Sequence, residues 1–411
     1  MKILHLNYSD QIGGAATSVM RLHQSLLKNN INSNMFVKEH TTNEKNIFSK
    51  NTTLSHISDL LKKAFLRKIA KISKLKYKST LSLNYLKGIE VKEIDFFNPN
   101  IVNLHWISNE MISLKEISKI KQPIVWTLVD MWLFCGAEHY STNKRFLNGY
   151  NRNNRDKNKK GIDIDKFVWS LKKKYLDKKK IKIVCISSWL AKQARKSKLL
   201  QNFDIRVINC AIDHEKWKPI EKIKAKKILG LNPKKKLILF GATGGTRDPR
   251  KGFNYLKKAL DQNILKKQQF DLMIFGEQNK TNLKINNKKI YFQNQKFYGN
   301  DIALRTIYSA ADLLVAPSIQ EAFGQVASEA GCCKTPSVAF RNTGFEDVIN
   351  HKKSGYLADL KNYKDLAKGI NWCLKNSNRL RLGFNARKHI ASKLSYKKIS
   401  SKYIELYKEL I

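Results

Sequence analysis

Two doubly wound α/β domains are what this sequence predicts, and three observations predict them. Short apolar, β-branched runs alternate with longer helical stretches, the alternation occurs twice, and a polar, proline-containing stretch, DHEKWKPIEKIKAKK (213–227), separates the two series. Continuous apolar strands divided by helices mark a parallel sheet, because helices cover both faces and every strand residue must be buried. The first series reads KILHLN (2–7), NMFVKE (34–39), NIVNLHW (100–106), PIVWTLVD (123–130), IKIVCIS (181–187) and IRVINC (205–210). The second reads KLILFGA (236–242), DLMIFGE (271–277), KIYFQN (289–294), ADLLVAPS (311–318) and PSVAF (336–340). The expected domains are therefore 1–213 and 214–390, joined near 213–225 and facing across a cleft. Ligands of such sheets bind outside the carboxyl ends of the strands. The remainder, 391–411, sets Leu394, Ile399, Tyr403, Leu406 and Leu410 at helical spacing. It predicts an amphipathic helix packing back on the first domain.

The chain has 411 residues and is 42% hydrophobic, enough for each domain to bury a core. Its charge is lopsided: 78 Lys+Arg against 33 Asp+Glu gives +45. Such a field draws anionic partners. Compositional drift, with Lys, Asn and Ile used heavily throughout, reads the same numbers equally well. Six cysteines, at 135, 185, 210, 332, 333 and 373, form no C-x-x-C pair and have no histidine at zinc-ligand spacing. They read as reduced thiols of a cytoplasmic protein. The opening MKILHLNYSD predicts a first strand rather than a signal peptide. No apolar run approaches the ~20 residues that span a bilayer. No RRM, KH, zinc-finger or helix-turn-helix signature accompanies the charge, so no specific nucleic acid partner is expected. A nicotinamide cofactor is disfavoured too, because no G-x-G-x-x-G follows the first strand.

Chemistry concentrates in PSIQEAFGQVASEAG (317–331). The strand ADLLVAPS ends at Ser318, and a helix is expected from about Phe323 to a C-cap at Gly331. Glu321 then lies in the loop at the strand's carboxyl end and Glu329 about two turns into the helix. Gly324 lets a ligand approach the backbone. The N–H groups of Phe323, Gly324 and Gln325 offer an anion site at the positive end of the helix dipole. A phosphate there would lie between two carboxylates able to accept hydrogen bonds from sugar hydroxyls, one holding a ribose and the other a hexose. A surface glutamate beside a capping one is the plainer alternative. Upstream, KLILFGATGGTRDPRKGF (236–253) is a strand, a glycine-rich loop containing Gly241 and Thr243, and a basic turn. Arg247, Arg250 and Lys251 in that turn could neutralise a departing diphosphate. The loop is not a Walker A motif, because no G-K-[ST] closes it. Gly13 and Gly14 follow the first strand and permit a tight turn with backbone exposed at the sheet's carboxyl end.

These residues resemble the donor-binding half of the retaining glycosyltransferases of family 4, which carry two facing Rossmann-like domains, the GT-B fold. The family's E-x7-E element matches Glu321 and Glu329, and its K-G lysine matches Lys251. An upstream arginine matches Arg247 or Arg250. Similarity extends through YSAADLLVAPSIQEAFGQVASEAG and TGFEDVINHKKSGYLAD to the terminal YIELYKEL. The first half, with GGAATSVMRLHQSL, VNLHW, WTLVDMW, GAEHY, ISSWLAKQA and RVINCAIDHEKWKP, is similar to a colanic-acid-type subgroup that makes bacterial surface polysaccharides.

The resemblance implies transfer of a sugar, with retention, from a UDP, GDP or ADP sugar to a lipid-linked or saccharide acceptor. It implies no metal and no cofactor beyond that donor substrate. It assigns Glu321 to the donor sugar hydroxyls and Glu329 to the ribose. The amides near Phe323 and Gly324 and the Arg/Lys pair would hold the diphosphate, with Gly13 and Gly14 near the phosphates and the acceptor. It also implies a same-face displacement, in which the departing phosphate helps deprotonate the acceptor.

One position departs from the pattern. Relatives commonly carry histidine before the aspartate of WTLVDMW, and this chain has Val129. Valine cannot donate a hydrogen bond to a sugar hydroxyl. Three readings follow: a different donor sugar, substitution by His139 or His105, or a weakly active relative serving as a scaffold. Asp130 keeps the family position. Residues 60–78, LLKKAFLRKIAKISKLKYK, carry eight Lys/Arg and no acid, with Leu61, Phe65, Ile69, Ile72 and Leu75 at helical spacing. That pattern fits a basic amphipathic helix on an anionic membrane at the cytoplasmic face, or an ordinary solvated helix. The second basic zone, NRNNRDKNKKG (151–161), reads as a loop.

Overall fold

The computed structural model describes residues 1–50, 61–62, 64–66, 68–69, 81–157, 161–177, 179–241, 244–277, 285, 288–294 and 300–411. The chain divides into two compact units. The first comprises Met1–Ile186, Leu190–Ile208 and Ser400–Ile411, and the second Ser187–Trp189 and Asn209–Ile399.

Unit 1 is built on β1 (Lys2–Ser9), β2 (Asn32–Glu39), β3 (Ile47–Ser49), β4 (Ile101–Leu104), β5 (Ile124–Leu128), β6 (Ile181–Cys185) and β7 (Ile205–Val207). Every pairing is parallel, in the order β3-β2-β1-β4-β5-β6-β7. Unit 2 holds β8 (Lys236–Gly241), β9 (Phe270–Glu277), β10 (Ile290–Asn294), β11 (Leu313–Ala316), β12 (Ser337–Phe340) and β13 (Gly355–Ala358). These are also all parallel, in the order β10-β9-β8-β11-β12-β13. Central strands are buried on both faces, as β4, β5, β11 and β12 show at every residue. That is why they read as unbroken apolar runs. In each sheet the direction of winding reverses once, between β1 and β4 and between β8 and β11. Those reversals are where ligands of doubly wound sheets bind.

Every strand expected from the sequence is present, several of them shorter. IRVINC keeps only Ile205–Val207, and NIVNLHW only Ile101–Leu104. Two edge strands, β3 and β13, are additional. Each is only three or four residues long, so neither has enough alternation to announce itself.

The helix expected at the chain's end runs Tyr396–Lys408. Ile399, Tyr403 and Leu406 are buried as the spacing predicts, while Leu410 is half-buried and Tyr407 is wholly buried in its stead. Tyr407 accepts a hydrogen bond from Asn103 Nδ2 (2.6 Å), and the Tyr403 hydroxyl lies 3.3 Å from Thr127 Oγ1. All six cysteines are buried thiols. Among the described residues no helix is long and apolar enough to cross a membrane. The basic stretch 60–78 falls largely outside the described residues. Those described within it are helical, with Leu61 68% and Phe65 46% exposed.

Candidate functional site

At the reversal in unit 2, two loops leave the carboxyl ends of β8 and β11, and glycines let them meet. Gly241 closes β8, where a Cβ would fall 1.9 Å from the Phe275 ring, so only glycine packs there. Thr243 lies outside the described residues. Beyond it Asp248 opens a short 3₁₀ turn, Pro249–Lys251, by accepting a hydrogen bond from the Arg250 amide (2.9 Å). Gly252 ends that turn with φ +75° and starts the helix Phe253–Leu260. A Cβ at 252 would lie 1.8 Å from the Pro317 carbonyl oxygen. Backbone therefore touches backbone, and the Ile319 amide donates to the Arg250 carbonyl (2.9 Å).

That contact brings Lys251 to Glu321. Lys251 Nζ donates to Glu321 Oε2 at 2.7 Å, in a pair whose side chains are only 16% and 13% exposed. Ser318 Oγ donates to the same oxygen at 3.3 Å. Burial pushes the Glu321 carboxyl up, but Lys251 and Arg250, with the hydrogen bonds from Lys251 and Ser318, outweigh it. The carboxyl therefore sits below its ordinary range and is a carboxylate at neutral pH. Arg250 itself reaches back to Asp248 (2.9 Å), and Arg247 is exposed.

The loop carrying Glu321 is clamped from below. The Gly344 amide donates to the Glu321 carbonyl (2.8 Å), and a Cβ on Gly344 would meet Ala322 O at 2.4 Å. Gly324, at φ +101°, lies against the Phe345 ring, and Phe323 is buried. The helix runs Gln325–Cys332, starting two residues later than the sequence suggested, since Gly324 is its N-cap. Glu329 consequently sits little more than one turn in, not two. Its Oε2 accepts from the Tyr308 hydroxyl (2.9 Å), and the residue is buried. Gly331 is not a C-cap. It lies within the helix, where its missing Cβ makes room for Ile390 Cδ1, and the left-handed residue after the helix is Lys334 (φ +60°).

Unit 1 carries a second polar cluster, just past the carboxyl end of β5. Asp130 Oδ2 lies 2.6 Å from His139 Nδ1 and accepts from Trp106 Nε1 (2.9 Å), while Asp130 Oδ1 accepts from the Trp132 amide (2.9 Å). His139 Nε2 lies 2.9 Å from Ser82 Oγ. Both ring nitrogens and both carboxylate oxygens are therefore occupied. The surrounding loop is pinned by Lys172, which is fully buried and donates to the carbonyls of Trp132, Cys135 (3.1 Å) and Gly136 (2.6 Å). Burial pulls its amine below the ordinary lysine range.

His105, the other histidine considered for the Val129 role, is interior. Its Nε2 lies 2.9 Å from His5 Nδ1, and His23 packs edge-on to His5 (6.3 Å). Burial lowers His105 to about 3 and His23 to about 4, and holds His5 well below the usual histidine range with help from the other two. Gly13 begins the helix Gly13–Leu27 at φ +90°, with open space where a Cβ would stand, and Gly14 follows it in the first turn. Among the described residues no group of three His, Cys, Asp or Glu could hold a metal ion.

Sequence reasoning missed the partners: Ser82, Tyr308, Asp248 and the Gly344–Phe345 clamp. Asp248 caps its own turn locally, two residues from Arg250; the others are ordinary residues whose role arises from long-range placement, so no local signal marks them.

Residues 221–389 match the family model described as glycosyl transferases group 1. This part of the chain is thus similar to that family. The matched residues contain Lys251, Glu321 and Glu329, and with them the reversal between β8 and β11. An uncharacterized glycosyltransferase of Methanocaldococcus jannaschii is 29% identical over 197 residues, which is 46% of this chain and 48% of that protein. The chain spans about half the length, or less, of the curated relatives it matches. Over whole chains, the structure is similar to sucrose-phosphate synthase from Thermosynechococcus elongatus (TM-score 0.67, 16% identity, 100% and 99% covered). It is also similar to Anabaena HepE in complex with UDP and glucose (TM-score 0.65, 16% identity, 100% of both covered). The fold is GT-B.

Proposed function

We propose that the chain transfers a sugar, with retention, from a nucleotide diphosphate sugar to a lipid-linked or oligosaccharide acceptor in cell-surface polysaccharide synthesis. The observation that carries this reading is the Lys251–Glu321 pair at the sheet reversal, inside residues 221–389. Without a donor the two charges neutralise each other. With one, the Lys251 ammonium, joined by Arg250 and Arg247, turns to the diphosphate, and the Glu321 carboxylate accepts from donor sugar hydroxyls. The amides around Phe323, Gly324 and Gln325 add positive potential at the helix start. Glu329, steadied by Tyr308, takes the ribose.

As the bond from the anomeric carbon to the phosphate oxygen breaks, the acceptor hydroxyl oxygen bonds to that carbon on the same face. Its proton passes to the departing phosphate. Cations placed where that charge develops are the main catalytic device. We assign the acceptor to unit 1 and residues 60–78 to the cytoplasmic face of an anionic membrane, where the exposed Leu61 and Phe65 favour contact with lipid.

A second reading, a weakly active relative that acts as a scaffold, is favoured by Val129 together with the full occupation of His139. A thermal-shift panel of UDP, GDP and ADP sugars, with UDP-glucose first, separates the two, because a bound donor raises stability by mass action. A rise with one donor, followed by its consumption when acceptor-bearing membranes are added, is expected. No rise with any donor would sink the transferase reading.

A further inference from the structure

Unit 2 exposes a face that nothing in the proposed reaction uses. The helix Asn376–Lys393 carries five Lys/Arg and no Asp or Glu. Leu382, Ala386 and Ile390 turn inward and are buried. Leu380 and Phe384 point out, 70% and 59% exposed, in one stripe with the exposed Arg381 and Lys388.

The helix cannot rotate to hide this pair. A Cβ on Gly383 would lie 2.1 Å from the Lys334 carbonyl oxygen, and Ile390 is seated on Gly331, where a Cβ would lie 2.3 Å away. Both close approaches fix which side faces outward. The same packing brings more positive charge to the rim: Lys334 beside Gly383, and Lys353, whose carbonyl accepts from Asn385 Nδ2 (2.9 Å). Among the described residues Arg381, Lys388, Lys334 and Lys353 are exposed and form no ion pair. Arg379 and Arg387, by contrast, are used internally, on Asp312 and on the Cys332 carbonyl.

We propose that this face of unit 2 lies on an anionic lipid bilayer, with Leu380 and Phe384 in the acyl boundary and the four cations at the headgroups. An apolar pair ringed by cations on a helix without acids matches an interfacial helix. A nucleic acid would satisfy the cations but offers nothing to Leu380, which gains only by leaving water.

Co-sedimentation of the full chain with phosphatidylglycerol/phosphatidylethanolamine vesicles, and with phosphatidylcholine vesicles alone, tests the proposal. The chain should pellet with the first and not the second. L380D/F384D should weaken that binding by about tenfold or more. R381Q/K388Q should weaken it less and flatten its salt dependence. Both variants alter exposed positions, so their thermal midpoints should match that of the parent chain. The measurement is repeated with the lysines of 62–78 replaced by glutamine, which separates this face from that segment. Undiminished pelleting of L380D/F384D in either background overturns the proposal, as does binding to a DNA duplex that the same substitutions abolish.

Discussion

Each unit sets a carboxylate against a nitrogen base at the carboxyl end of its sheet, and the two arrangements differ in what is left over. In unit 2 the Lys251 ammonium has three donors, and among the described residues one of them is used, on Glu321. In unit 1 each ring nitrogen of His139 and each carboxylate oxygen of Asp130 already has a partner: the Trp106 indole, the Trp132 amide and Ser82 supply those beyond the pair itself. On the proposed function, the spare donors of Lys251, held by glycine-tight loops, are what a ligand would use, while the partnered pair beneath aromatic rings holds a loop.

Replacing Glu321 separates the two arrangements most sharply. Glu321→Ala should lower turnover of the donor by about 10²–10³-fold while circular dichroism stays unchanged, since it removes a charged contact and no packing. Normal turnover by this variant would erase the distinction. His139→Ala should do the reverse. It takes one buried hydrogen-bond partner each from Asp130 and Ser82 and should cost about 1–3 kcal/mol in urea unfolding. Activity per folded molecule should fall far less than in Glu321→Ala. An equal loss at full stability would make His139 a substrate contact after all.

Acid should also tell the units apart. His5, His23 and His105 are held neutral, with lowered pKa values, so the unfolded chain binds more protons than the folded one from about pH 6.5 downward. Unit 1 therefore loses stability as pH falls from about 6.5 towards 4, by up to about 1.4 kcal/mol per pH unit for each histidine. In unit 2, burial raises the Glu321 and Asp312 carboxyls, but Lys251 with Arg250, and Lys222, Lys226 and Arg379, pull them lower still. The stability they contribute is present above the ordinary carboxylate range and is lost only below it. Hydrogen-exchange protection read unit by unit should show unit 1 opening first, and His23→Gln should flatten its pH slope. The smallest effect is expected from Tyr308→Phe. It strips Glu329 of one hydrogen bond and should cost about 1 kcal/mol in stability, with a modest weakening of donor binding in calorimetry.

Much of this was legible in the residues. Both parallel sheets followed from apolar runs such as KLILFG and PIVWTL, because strands buried on both faces leave no polar alternation. The neighbourhood of Lys251 and Glu321 was legible because glycines and charges cluster at strand exits. Helix limits near 323–331 were not. A glycine can cap a helix or lie inside it, and only the position of Ile390 decides which Gly331 does. Nor could the sequence reveal that His139 is saturated, since Ser82 and Trp106 lie far from it along the chain.

The return of Ser400–Ile411 to unit 1 has a consequence for biogenesis. Tyr407 is sealed against Asn103, and Tyr403 lies beside Thr127, both beneath the first sheet. During synthesis on the ribosome, unit 2 can complete its core once residue 399 has emerged. The half translated earlier must wait, its sheet incompletely covered, for residues 400–411, which emerge only after unit 2. Chaperones should engage that waiting half, and deleting residues 403–408 should be far more damaging than their number would suggest.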